Sequence, residues 1–143
     1  MNLPPKPTSA ELDLLRVLWR TGPASARQAH EALREERPDV TEANVLRQLQ
    51  LMHAKGLLKR TEDQRPHVYS PAQAQDKMQT ALLRDVVHKL FAGSAKALVL
   101  AALRSEVSAA ERDEIARLLQ EGGAELEDPA KPTTKGQPKR SGR

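Results

Sequence analysis

The sequence predicts a mostly α protein with a small β-wing: a winged helix-turn-helix domain followed by a helical dimerisation region. Three observations predict it. The apolar residues include 20 Leu and 20 Ala against 8 Val and 1 Ile, and Leu and Ala favour helices where β-branched residues favour strands. Helix-capping signals recur along the chain. The elements they mark run helix, helix, helix, strand, strand, then further helices. In that plan the third helix enters a DNA major groove and the wing flanks it.

Each element has its own signal. Thr8-Ser9-Ala10-Glu11 is a capping box, in which the Thr hydroxyl and the Glu carboxylate satisfy free backbone N–H groups. Leu12, Leu15, Leu18 and Trp19 follow as one apolar face, and Gly22-Pro23 stops the helix. Ser25-Ala26-Arg27-Gln28 is a second box, followed by Ala26, Ala29 and Leu33 on one face. Thr41 caps a third helix with Val45, Leu49 and Met52 on its inner stripe and Gly56 as its breaker. The stretches 57–61 and 67–70 are short, with a polar turn at 62–66 between them, and read as two strands joined by a loop. Helical spacing returns at Met78, Leu82, Val86 and Leu90 and breaks at Gly93-Ser94. Residues 95–103 read as a short, nearly all-apolar helix. A third box, Ser108-Ala109-Ala110-Glu111, opens a last helix with Ile115, Leu118 and Leu119, ended by Gly122-Gly123.

Proline and charge divide the chain in the same places. No proline lies between Pro71 and Pro129, so that stretch holds uninterrupted helices. The net charge of +4 is spread as +2 over 1–71, zero over 72–122 and +2 over 123–143. The expected organisation is a winged helix-turn-helix DNA-binding domain at 1–71, a helical dimerisation region at 72–122 and a disordered basic tail at 123–143. That tail either adds non-specific DNA affinity or serves as a solubilising end.

Several classes are excluded by composition. The chain has no Cys, which removes disulfide scaffolds, thiol nucleophiles and zinc fingers. Three aromatics, Trp19, Tyr69 and Phe91, are too few for a base-stacking sheet. No apolar run approaches the ~20 residues of a membrane span, and the N-terminus lacks a signal peptide's pattern. A cytoplasmic protein without membrane insertion is expected. His30, His53, His67 and His88 show no ligand spacing, so no metal and no cofactor is expected. No phosphate loop, G-x-S-x-G or H-E-x-x-H marks an enzyme.

The third helix carries the expected chemistry. With Val45, Leu49 and Met52 inward, the opposite side near the N-terminus presents Thr41, Ala43, Asn44 and Arg47. Arg bonds a guanine edge bidentately, Asn an adenine, and Ala or Thr methyls meet a thymine methyl. These four are the expected base contacts. Glu42 is the misfit: it accepts from cytosine, bonds another side chain or points away. Arg27, Lys55, Lys59, Arg60, Arg65 and His67 surround the helix and wing and are the expected phosphate contacts.

One module contacts few bases, and such regulators usually read two half-sites as a two-fold dimer. The segment 72–122 carries more apolar surface than some 50 residues bury alone. Leu82, Val86, Leu90, Phe91, Leu98, Val99, Leu103 and Leu118 are the expected interface.

The chain resembles the penicillinase-repressor family, which includes β-lactamase, methicillin-resistance and copper-transport repressors. The matching stretches are Ser9-Ala10-Glu11-Leu12, Val17-Leu18-Trp19, Gly22-Pro23-Ala24-Ser25 and Thr41-Glu42-Ala43-Asn44-Val45-Leu46-Arg47-Gln48-Leu49. Met52-His53-Ala54-Lys55-Gly56-Leu57-Leu58, His67-Val68-Tyr69 and Leu90-Phe91-Ala92-Gly93-Ser94 continue the match. The resemblance implies a homodimeric repressor on palindromic operators, often of TACA/TGTA type, with double-stranded operator DNA as its partner. It also implies induction through a membrane sensor-protease pathway that leads to cleavage in the dimerisation region. The corresponding stretch lies near Leu100-Ala101-Ala102-Leu103, where Ala101-Ala102 replaces the Asn-Phe dipeptide cut in some members. The copper branch's C-terminal Cys motif is absent. Asn44 stands where many members carry Thr, which points to a shifted operator preference. The competing expectation is a winged-helix interaction or scaffold module without specific DNA binding.

Overall fold

The computed structural model describes residues 6–122, and the basic tail expected at 123–143 lies outside the described residues. The elements in order are α1 (Ser9–Thr21), α2 (Ala26–Leu33), α3 (Glu42–Ala54), β1 (Leu58–Arg60), β2 (Tyr69–Pro71), α4 (Gln75–Leu90), α5 (Ala95–Ser105) and α6 (Ala109–Gln120). The architecture is thus mostly helical with one small sheet, a winged helix followed by a helical region. The chain forms two compact units that part between Gln79 and Thr80.

In the first unit the capping chemistry sets the helix starts. Thr8 Oγ1 accepts from Glu11 N at 3.2 Å, and Glu11 Oε1 accepts from Thr8 N at 2.9 Å. Ser25 and Gln28 close the same reciprocal box at the head of α2. The face that α1 buries is Glu11, Leu14, Leu15, Val17 and Leu18. Leu12 and Trp19, expected on that face, are only half-buried. The reason is crowding: apolar residues at 12, 14, 15, 17, 18 and 19 admit more than one stripe. The stripe that wins runs i, i+3, i+4, i+7 from Glu11, a carboxylate. Ala29 and Leu33 of α2 and Val45, Leu49 and Met52 of α3 complete the core with Leu57, Leu58, Tyr69 and Met78.

α3 ends where the sequence says it must. Gly56 takes φ +87°, a conformation that costs glycine nothing. The Leu57 N–H then donates to Met52 O at 2.9 Å, and the chain turns into β1. That bond explains why the strand opens at Leu58 and not at Leu57. β1 and β2 are antiparallel, with Leu58 opposite Pro71, Lys59 opposite Ser70 and Arg60 opposite Tyr69. His67 and Val68 precede β2 instead of opening it. A bridge between Ala24 and Tyr69, with bonds of 3.0 and 2.8 Å, fastens the α1–α2 turn to the wing. Trp19 Nε1 donates to Gln73 O at 3.1 Å and secures the far side of the hairpin.

In the second unit the break after α4 is built on Ala92, at φ 51°, and Gly93, at φ 88°. The Gly93 N–H donates to Val87 O at 2.9 Å, closing the helix end. α4 and α5 are bent by 98° across this break. Ser94 caps α5, and Ser108 with Glu111 forms the expected box at α6. No residue of α5 or α6 is buried.

Candidate nucleic-acid interface

Three buried side chains pin α3 along one stripe, so its other side is fixed in orientation. Thr41, Glu42, Ala43, Asn44, Leu46, Arg47 and Gln50 are all exposed. Thr41 Oγ1 accepts from Asn44 N at 3.1 Å and donates to Asn44 Oδ1 at 2.8 Å, so the cap holds the Asn44 amide in place. Among the described residues the Arg47 guanidinium is in no ion pair. An exposed, unpaired cation on a rigid helix suits a polyanion. The structure therefore brings Thr41, Ala43, Asn44 and Arg47 onto one accessible surface. Gln50 and Leu46 join it, although the expected contact set omitted them. Their signal was angular: at 100° per residue they fall about 140° and 100° from Val45, clear of the buried stripe.

The expected phosphate contacts have unequal surroundings. Lys59 and Arg65 are exposed on the hairpin and its loop. Arg27, in the first turn of α2, is exposed and only loosely paired, 4.0 Å from Glu31. Arg60 Nε lies 3.3 Å from Glu62 Oε2. The Glu62 carboxylate raises the Arg60 pKa, and the guanidinium lowers that of Glu62. His67 Nδ1 is 2.6 Å from Thr61 O. A carbonyl only accepts, so Nδ1 holds the proton and the ring is fixed. That ring meets Tyr69 edge-on at 6.4 Å between centroids.

Lys55 differs from all of these. Its Nζ is 2.6 Å from Glu11 Oε2, in a pair whose carboxylate side chain is 3% exposed. Burial alone would raise the Glu11 pKa. The hydrogen bonds from Lys55 and the Thr8 N–H outweigh it, and the pKa ends below the ordinary value.

Behind the start of α3 lies a cleft of about 240 Å³, lined in part by Asp13, Arg37, Asp39, Asn44 and Gln48. Its charges satisfy one another: Arg37 contacts Asp13 at 3.0 Å and Asp39 at 3.5 Å. Among the described residues, no group of three or more His, Asp or Glu is placed to hold a metal ion. Nor is any single helix among them long and apolar enough to cross a membrane.

The expected interface residues are apolar and incompletely covered. Leu82, Phe91, Leu98, Leu103 and Leu118 are half-buried, and Val86, Leu90 and Val99 are exposed. Leu83, Leu100 and Leu119 are exposed as well and were left out of the expected set.

A scan against protein-family profiles matches one described as penicillinase repressor over residues 7–121, from the first capping segment to the end of α6. The chain belongs to the penicillinase repressor family. A search of curated proteins returned no match. Penicillinase repressors are DNA-binding regulators of transcription, not enzymes.

Proposed function

We propose that this penicillinase repressor binds a palindromic operator as a homodimer and blocks transcription by occupying a promoter. The observation that carries the reading is α3: one stripe locked in the core and, away from it, Arg47, in no ion pair among the described residues, with Ala43 and an Asn44 held by the Thr41 cap. Thr41, Ala43, Asn44 and Arg47 meet base edges. Arg27, Lys59, Arg60, Arg65 and His67 meet phosphates, which fix position and supply the salt-dependent part of the affinity. Residues 1–71 act as the DNA-binding domain and 72–122 as the dimerisation region.

Dimerisation is supported by the apolar surface that α4, α5 and α6 leave exposed. A two-fold dimer doubles every contact, so weakening it lowers operator affinity steeply. Relief of repression comes from proteolysis or another signal from a membrane sensor. The stretch matching the family's cleavage region sits inside α5, so a protease needs local unwinding there before it can cut.

A gel shift on the promoter upstream of its own gene tests the reading. Wild type retards the duplex at low salt, and Arg47→Ala loses the shift while staying dimeric. A folded dimer that retards nothing overturns the proposal and favours an interaction module.

A further inference from the structure

Lys55 sits at the C-terminal cap of α3, among cations that suggest a phosphate track. Its surroundings say otherwise. Its ammonium is already bound, 2.6 Å from a carboxylate that solvent barely reaches. That carboxylate belongs to Glu11, the N3 residue of α1. Its two oxygens serve different partners. Oε1 accepts from the Thr8 N–H at 2.9 Å, and Oε2 accepts from Lys55. Glu11 and Lys55 are 44 residues apart. One side chain therefore closes the start of α1 and grips the end of α3. The dipoles of both helices favour the arrangement, with an anion at the N-terminus of α1 and a cation at the C-terminus of α3.

Removing Lys55 from this pair to reach a phosphate would strand a buried carboxylate, and a surface contact does not offset that cost. The grip has a geometric consequence. Val45, Leu49 and Met52 already fix which face of α3 is buried, and the last of them lies three residues before Lys55. The short charge-assisted bond adds a directional anchor beyond that stripe, at the C-terminal end of the helix.

We propose that Lys55 is a positioning residue: paired with Glu11, it anchors the C-terminal end of α3 to α1 and holds in register the face that the core has oriented, so that Ala43, Asn44 and Arg47 meet the bases together, and it touches no phosphate. This rests on α3 being the reading helix.

The test uses the full-length chain and the duplex it enriches from a random-sequence library, with a scrambled duplex of equal composition as reference. Binding to both is followed as a function of salt for wild type, Lys55→Met and the double variant Glu11→Gln/Lys55→Met. The double variant removes both charges, which restores stability without restoring the link. The expected result has three parts. The specificity ratio falls about tenfold or more in both variants. The slope of log affinity against log salt is unchanged. The double variant recovers the melting temperature but not the specificity.

A slope that drops by about 0.9 per lost contact, with the specificity ratio unchanged, makes Lys55 a phosphate contact and overturns the proposal. Recovery of both stability and specificity in the double variant reduces the pair to a stabilising one and also overturns it. If Lys55→Met does not fold, the double variant alone decides. If wild type enriches no duplex at all, the failure is of α3 as the reading helix, not of the role of Lys55.

Discussion

Leu90 closes α4 with 73% of its surface exposed, an expensive place for a leucine unless something covers it. Burying a whole leucine side chain contributes about 1.5–3 kcal/mol. With most of it still accessible, about 1–2 kcal/mol remain to be gained in each protomer, and two-fold symmetry counts that twice. Leu90→Ala should therefore weaken the dimer by about 2–4 kcal/mol, a factor of roughly 30 to 700 in its dissociation constant. The monomer should barely notice, because exposed substitutions usually stay within about 0.5 kcal/mol. Sedimentation equilibrium across a concentration series gives the dissociation constant. Thermal melts at several concentrations separate dimer from fold, since only an associating protein has a concentration-dependent midpoint. An unchanged dissociation constant would refute the reasoning. So would a concentration-independent fall in the midpoint, which would mean that Leu90 supports its own unit.

Three further outcomes follow from named contacts. The Glu11 carboxyl has a folded pKa below its ordinary 4.5, so its stabilisation is complete above pH 4.5 and is lost as pH falls through the folded value; denaturant titrations of wild type and Glu11→Gln should converge below pH 4.5, and a constant gap contradicts this. Ala92 holds φ 51°, so Ala92→Gly should stabilise by about 1 kcal/mol, read as a higher denaturant midpoint; a lower midpoint sinks the strain argument. Glu62 occupies Arg60 at 3.3 Å, so Glu62→Gln should tighten DNA binding several-fold at low salt and steepen its salt dependence; unaltered affinity would remove Arg60 from the phosphate contacts.

The local features of this fold are written plainly in the chain. Thr8 with Glu11, Ser25 with Gln28 and Ser108 with Glu111 each close within four residues, so their spacing alone determines the box. The inner stripe of α3 is equally legible, because Val45, Leu49 and Met52 recur at helical spacing while the remaining leucines, Leu46 and Leu51, fall off that line. The buried face of α1 is not, because a leucine-rich helix offers rival stripes. Long-range pairs leave no periodic trace. The Ala24–Tyr69 bridge joins backbone atoms, which any residue supplies. The Glu11–Lys55 pair spans 44 residues; from sequence, Lys55 is one more cation in a basic cluster. Family membership is legible from short ordered motifs, whereas which cations are spoken for is a matter of distance.

A hydroxyl-radical footprint on the enriched duplex tests the central claim most directly. Two α3 helices related by a two-fold axis should protect two half-sites about 10 base pairs apart, or a multiple of that spacing. Arg47→Ala should erase both protections together. A single protected patch, or a footprint indifferent to Arg47, would contradict a symmetric repressor that reads DNA through α3.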